Sequence, residues 1–114
     1  MSDKVVVIIS SAEPGKARTG VMYALNAVKH AWLADVRLVF FGPAESLLIE
    51  DKEIQRMVAE FGEYREPDQC PLACKYLSDL DGTTDELVAL GVAVAYVGAI
   101  ISELIKQGYQ PMVW

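Results

Sequence analysis

Two cysteines, Cys70 and Cys74, are the strongest nucleophiles in the 114-residue sequence. A strand read near Cys70 to Ala73 places Cys74 at the carboxyl end of a parallel strand, opening the helical turn Lys75 to Leu80. In α/β folds that end of the sheet is where ligands and chemistry gather. Unpaired N–H groups at a helix start favour a thiolate, and Lys75 adds a cation next door. Such a thiolate can attack sulfane sulfur and hold it as a persulfide. The competing reading is a thiol that packs as a small apolar side chain. Cys70 completes a C-x3-C pair, but four residues of strand span about 13 Å, against the roughly 4.4–6.8 Å Cα separation of a disulfide. A turn at Pro71 would make Cys70 a secondary thiol, either resolving or accepting; otherwise it packs in the core.

Other constellations are weaker. His30 is the one histidine, so it is the one candidate for a Ser-His or Cys-His arrangement; late in a helix, it gains stabilisation as a cation without any catalytic purpose. Two cysteines and a distant histidine do not make a zinc site, and no metal is expected. The loop Ser10-Ser11-Ala12-Glu13-Pro14-Gly15-Lys16 has the position of a phosphate cradle. It lacks the first glycine of a Walker motif, and Ala17 follows the Gly-Lys pair. Ser10, Ser11, Lys16 and Thr19 are the residues with which it would hold a flavin or nucleotide, with Glu13 opposing the phosphate. The alternative is a plain strand-to-helix turn.

The elements that position these residues follow from hydrophobic pattern. Val5 to Ile9, Val36 to Phe41 and Val92 to Val97 are continuous apolar runs without alternation, the mark of strands covered on both faces. Between them lie helical periods. Pro14 suits a first helical turn, and Val21, Leu25, Val28 and Trp32 form a stripe ending near Ala34. Asp51 is placed to cap a helix whose stripe is Ile54, Met57, Val58 and Phe61, with Gly62 as its stop. Thr83-x-x-Glu86 reads as a capping box before a short helix closed by Gly91. A last helix runs from about Ala99 to Gln107, burying Ile100, Ile101, Leu104 and Ile105, and Gly108 ends it. Gln110 to Trp114 reads as a strand that Pro111 confines to an edge. The alternation predicts an α/β fold with a mostly parallel sheet in one domain.

The order of these features resembles the DsrE/DsrF-like family of small sulfur-relay proteins. The residues that carry the resemblance are the apolar first strand, Phe40-Phe41-Gly42-Pro43 followed by Ser46-Leu47-Leu48, and Ala73-Cys74 eight residues before Gly82. The ending, Val92 to Gly98 and then Glu103-Leu104-Ile105-Lys106-Gln107-Gly108-Tyr109, completes it. The resemblance implies a three-layer α/β/α sandwich with a five-stranded sheet, a homo-oligomer built on trimers or hexamers, and no dissociable cofactor. It also implies a persulfide carried on Cys74, received from a donor protein and passed to an acceptor protein. Cys70, and Pro71 within the expected third strand, depart from the family pattern. Two other readings stand beside the carrier: a flavodoxin-like nucleotide or flavin module using the Ser10 to Thr19 loop, and a scaffold subunit without chemistry.

Composition narrows the partners. Ten Lys+Arg against sixteen Asp+Glu give a net charge of −6, which repels a phosphate backbone and argues against nucleic acid. The charge is uneven: residues 1–43 hold five bases and three acids, residues 44–114 five bases and thirteen acids. Eight acids between Glu45 and Asp68 read as a solvated helix face, or as a docking surface for a basic partner. The longest uncharged run, Leu87 to Ser102, has sixteen residues, short of the roughly 20 that span a bilayer. With no signal-like leader, the expectation is a soluble cytoplasmic protein with reduced thiols. Hydrophobic residues make up 53% of the chain, more than one small domain easily hides. Tyr109 and Trp114 would then line a subunit interface or cover a sheet edge.

Overall fold

The computed structural model describes residues 3–114. Strand β1 (Lys4–Ile9) leads into helix α1 (Pro14–Lys29), β2 (Asp35–Phe40), α2 (Ala44–Glu50) and α3 (Lys52–Glu63). A 3-10 turn (Pro67–Gln69) precedes β3 (Leu72–Cys74), α4 (Lys75–Asp81), α5 (Thr84–Ala89), β4 (Ala93–Ala95), α6 (Val97–Lys106) and β5 (Gln110–Val113). The five strands form one parallel sheet in the order β4-β3-β2-β1-β5. The expected α/β fold with a parallel five-stranded sheet is therefore the observed one. Among the described residues no helix is long and apolar enough to cross a membrane.

Helices cover both faces, as every parallel strand requires. On one face α1 and α3, with Leu48 of α2 and Leu87 of α5, bury Val5, Val7, Ile9, Leu38 and Phe40. On the other, Val97 and Leu104 of α6 pack with Val6, Ile8, Val39 and Cys74, and Leu77 of α4 adds a half-buried edge. The stripe Ile54, Met57, Val58 and Phe61 is buried as its spacing predicts, and Asp51 caps α3 by accepting the Ile54 N–H at 2.9 Å. β5 holds the edge that Pro111 allows.

Several boundaries differ from the sequence pattern for local reasons. Helix α1 stops at Lys29 rather than near Ala34, because Ala31 turns left-handed (φ 51°) and the Ala31 and Trp32 N–H groups close on the carbonyls of Val28 and Ala27. Trp32 thus leaves the stripe, and its ring lies 5.6 Å from that of His30, stacked on it. Gly62 sits inside α3, which ends one residue later at Glu63. Pro71 precedes β3 instead of interrupting it, and its carbonyl accepts the Ala93 N–H at 2.8 Å; the third strand begins two residues later than expected. The Thr83 side chain does not cap α5; its hydroxyl turns to the Ser78 carbonyl at 3.5 Å. β4 has three residues rather than six, since the chain enters α6 at Val97. Early entry rotates the last helix: Val97 and Leu104 are buried, Ile100 and Ile101 are half-buried, and Ile105 faces out.

Candidate functional site

The carboxyl ends of β2 and β3 meet because Val39 and Phe40 pair with Leu72 and Ala73. Beyond β2, Gly42 turns the chain at φ 84°, a conformation that favours glycine. Pro43 then starts the first turn of α2, where Ala44, Glu45 and Leu48 point inward. Beyond β3, Cys74 is both the last strand residue and the cap of α4. These two helix starts form the candidate site.

Cys74 lies where the sequence places it, but its surroundings are more apolar than expected. Only 7% of it is exposed, and it packs with Val6, Ile8, Val39 and Val97. Its side chain makes no hydrogen bond to the amides of α4. The Lys75 ammonium is not available to a thiolate, because it binds Asp79 at 2.7 Å one helical turn on. Cys70 is half-buried at the end of the 3-10 turn, in extended backbone, and both thiols are free.

The structure adds a residue that sequence reasoning left among the surface acids. Glu45 is completely buried; the backbone N–H groups of Gly42 and Cys74 approach its carboxylate, but neither oxygen closes a well-formed hydrogen bond. Burial pushes its carboxyl up to about 7, partly offset by the backbone N–H groups of Gly42 and Cys74, while the charge of Asp81 adds to the rise. The carboxyl therefore faces the backbone of Cys74. The signal in the sequence was slight: Glu45 falls three residues before Leu48 and one after Ala44, within the apolar side of a single short helix.

The remaining sequence candidates lie elsewhere. In the loop after β1, the Glu13 carboxylate accepts the N–H groups of Gly15 and Lys16 at 2.9 and 2.7 Å, occupying the amides a phosphate would use. These bonds hold the Glu13 carboxyl below the usual carboxylate range. The Ser10 and Ser11 N–H groups donate to the Trp114 carbonyl at 2.8 and 3.2 Å, and the Thr19 hydroxyl donates to the Gly15 carbonyl at 2.8 Å. Ser10, Ser11 and Thr19 are thus engaged within the fold, and Lys16 contributes its backbone to the Glu13 cap. His30 caps α1 at the amino-terminal end of the sheet, opposite Cys74.

At that same opposite end, Asp35 accepts from Arg37 Nε at 2.8 Å, from Arg65 Nη1 at 2.5 Å and from the Tyr109 hydroxyl. These donors hold the Asp35 carboxyl below its usual range although burial acts the other way. A groove of about 420 Å³ beside α6 is lined by Arg37, Ala99, Ile100, Glu103, Leu104 and Gln107. It does not include either cysteine.

No family model matches the chain, and no curated protein sequence does. Among solved structures, a conserved protein of unknown function from Bacteroides thetaiotaomicron is similar, with a TM-score of 0.86 at 21% identity. The similarity covers 98% of this chain and 95% of that one. It establishes a shared α/β fold over the whole described chain.

Proposed function

We propose that the protein is a sulfur carrier that accepts sulfane sulfur on Cys74 and passes it to a partner protein. The observation that supports this reading most is a free thiol, Cys74, at the carboxyl end of β3 and the start of α4. Sulfur exchange needs an attacking thiol, and that end of a parallel sheet is where α/β folds gather their chemistry. The resemblance to the DsrE/DsrF-like family points the same way, with no dissociable cofactor, a homo-oligomeric assembly in the cytoplasm, and donor and acceptor proteins as partners. Tyr76, two residues after Cys74, and Tyr96, next to the Ala95 that pairs with Cys74, are exposed at 62% and 63% and offer aromatic surface for such a partner. The low exposure of Cys74 requires that the α4 start open when a donor docks.

The test is intact mass after treatment with a sulfane-sulfur donor. Wild-type protein and Cys70→Ser gain one sulfur atom, and Cys74→Ser gains none. Absence of the adduct with every donor overturns the reading. The burial of Cys74 favours one second reading, a scaffold subunit in which the thiol only packs; failure of both cysteines to react with an alkylating probe would establish it.

A further inference from the structure

The groove beside α6 takes no part in the chemistry at Cys74, and its lining is of two kinds. Ala99, Ile100 and Leu104 give it an apolar wall, while Arg37, Glu103 and Gln107 supply its polar groups. Its volume of about 420 Å³ suits a small ligand. The lining residues of α6 run from Ala99 to Gln107, a length of about 12 Å along a helix axis.

Arg37, which reaches the groove from β2, decides the charge of what fills it. A single carboxylate, Asp35, serves two guanidiniums, Arg37 at 2.8 Å and Arg65 at 2.5 Å. None of the three side chains is more than 20% exposed. Among the described residues neither arginine has another ion pair, so this half-buried cluster holds one positive charge in excess within a chain of net charge −6. Withdrawing an unbalanced cation from water is costly, and an anion in the groove offsets that cost. Donors remain for it. Asp35 takes the Nε–H of Arg37, and Nη1 meets the Asp68 carbonyl only at 3.5 Å, so the Nη edge of the guanidinium is not used up. Asp35 and the Tyr109 ring, whose centre lies 5.6 Å from the guanidinium carbon, orient that edge before a ligand arrives.

Glu103 limits the ligand's charge. It stands exposed in the lining, forms no ion pair with Arg37, and repels a second negative charge. One guanidinium beside an acid therefore suits a singly charged, planar carboxylate better than a phosphate dianion. We propose that the groove binds an aliphatic monocarboxylate, its carboxylate on Arg37 and its chain along Ala99, Ile100 and Leu104. The site includes neither cysteine and stands whether or not Cys74 carries sulfur.

The test is calorimetric titration of the full chain with octanoate, and with acetate and octanol, which keep only the head or only the tail. Octanoate binds saturably, and each half-ligand binds about tenfold more weakly or less. Arg37→Gln weakens octanoate about tenfold and leaves octanol unchanged. Glu103→Gln tightens octanoate severalfold, because the opposing charge is gone. Ala99→Trp, at the exposed end of the apolar wall, blocks the chain and abolishes binding. No binding of octanoate, octanol binding as tightly as octanoate, or an affinity indifferent to Glu103→Gln overturns the proposal. Should Arg37→Gln fail to fold with its cluster disturbed, Glu103→Gln and Ala99→Trp decide, since both positions lie on the outer surface of α6. A tripeptide with an apolar carboxyl-terminal residue that outcompetes octanoate would put the end of a protein chain in the groove and overturn the assignment to a small acid.

Discussion

Glu45 ionises against the cost of burial, which raises its carboxyl from 4.5 to about 7. In the unfolded chain the same acid has lost its proton well below that pH, so between about 4.5 and 7 the folded state holds more protons. Stability from this group is therefore full at low pH and falls as pH rises through the window. The total loss is on the order of 3 kcal/mol. Glu45→Gln should match wild type in urea unfolding at pH 5 and exceed it at pH 8. Equal midpoints at pH 8 would show that the carboxyl finds a partner in solution. A thiol at the end of the third strand was legible from Ala73-Cys74 and the helical period after it. Glu45 was not legible, because an acid in a short helix of an acidic segment ordinarily faces water, and only the packing of α2 against α3 and α5 turns it inward.

The helices show how far local pattern reaches. In α3 the apolar period, the Asp51 cap and the burial of the stripe agree, and Asp51 also accepts two N–H groups from Arg18, at 3.0 and 2.6 Å. In α1 the decisive contact is between distant segments. Gly20 faces Trp114 and Ile9, where an added Cβ would stand 2.5 Å from Trp114 Cγ and 2.6 Å from Ile9 Cδ1. Gly20→Ala must displace the indole or shift α1, at a cost of about 1–3 kcal/mol; the matching readout is a lower thermal midpoint with altered tryptophan fluorescence. An unchanged midpoint would mean that Trp114 moves freely away from α1. The short β4 and the early α6 escaped sequence reading because Val92 to Val97 is apolar throughout, and such a run fits strand and buried helix equally.

At the scale of the molecule, the two faces of the sheet are unequally covered. One carries α1 and α3 with parts of α2 and α5, the other chiefly α6. The thinner side leaves Ile105 48% exposed, and Val113 on the edge strand 65% exposed. Exposed apolar side chains of this size favour association where they adjoin a partner. If the proposed homo-oligomer uses this side, light scattering gives a mass above the 12.5 kDa of one chain, and Ile105→Lys lowers it toward a monomer while far-UV circular dichroism stays unchanged. A wild-type mass of one chain would remove the assembly from the proposal. The acidic surface between Lys52 and Asp68 is partly internally paired, Arg56 with Glu53 and Glu60, and Lys29 with Glu60, so its capacity for a basic partner is smaller than the raw charge suggests.

Fold class followed from the residues alone, since strands covered on both faces must be apolar throughout and the helices between them must carry one apolar stripe. The place of Cys74 followed for the same reason: a strand end and a helix start are local events. Strand order, the short fourth strand and the filling of the β1 loop by Glu13 and Trp114 depended on contacts between residues far apart in the chain. So did the approach of the Glu45 carboxyl to the backbone N–H of Cys74, 29 positions along the chain. Periodicity records which side of an element is buried, but not what lies opposite; that Cys74 packs against Val6, Ile8, Val39 and Val97 is decided by strands and a helix far from it in the chain.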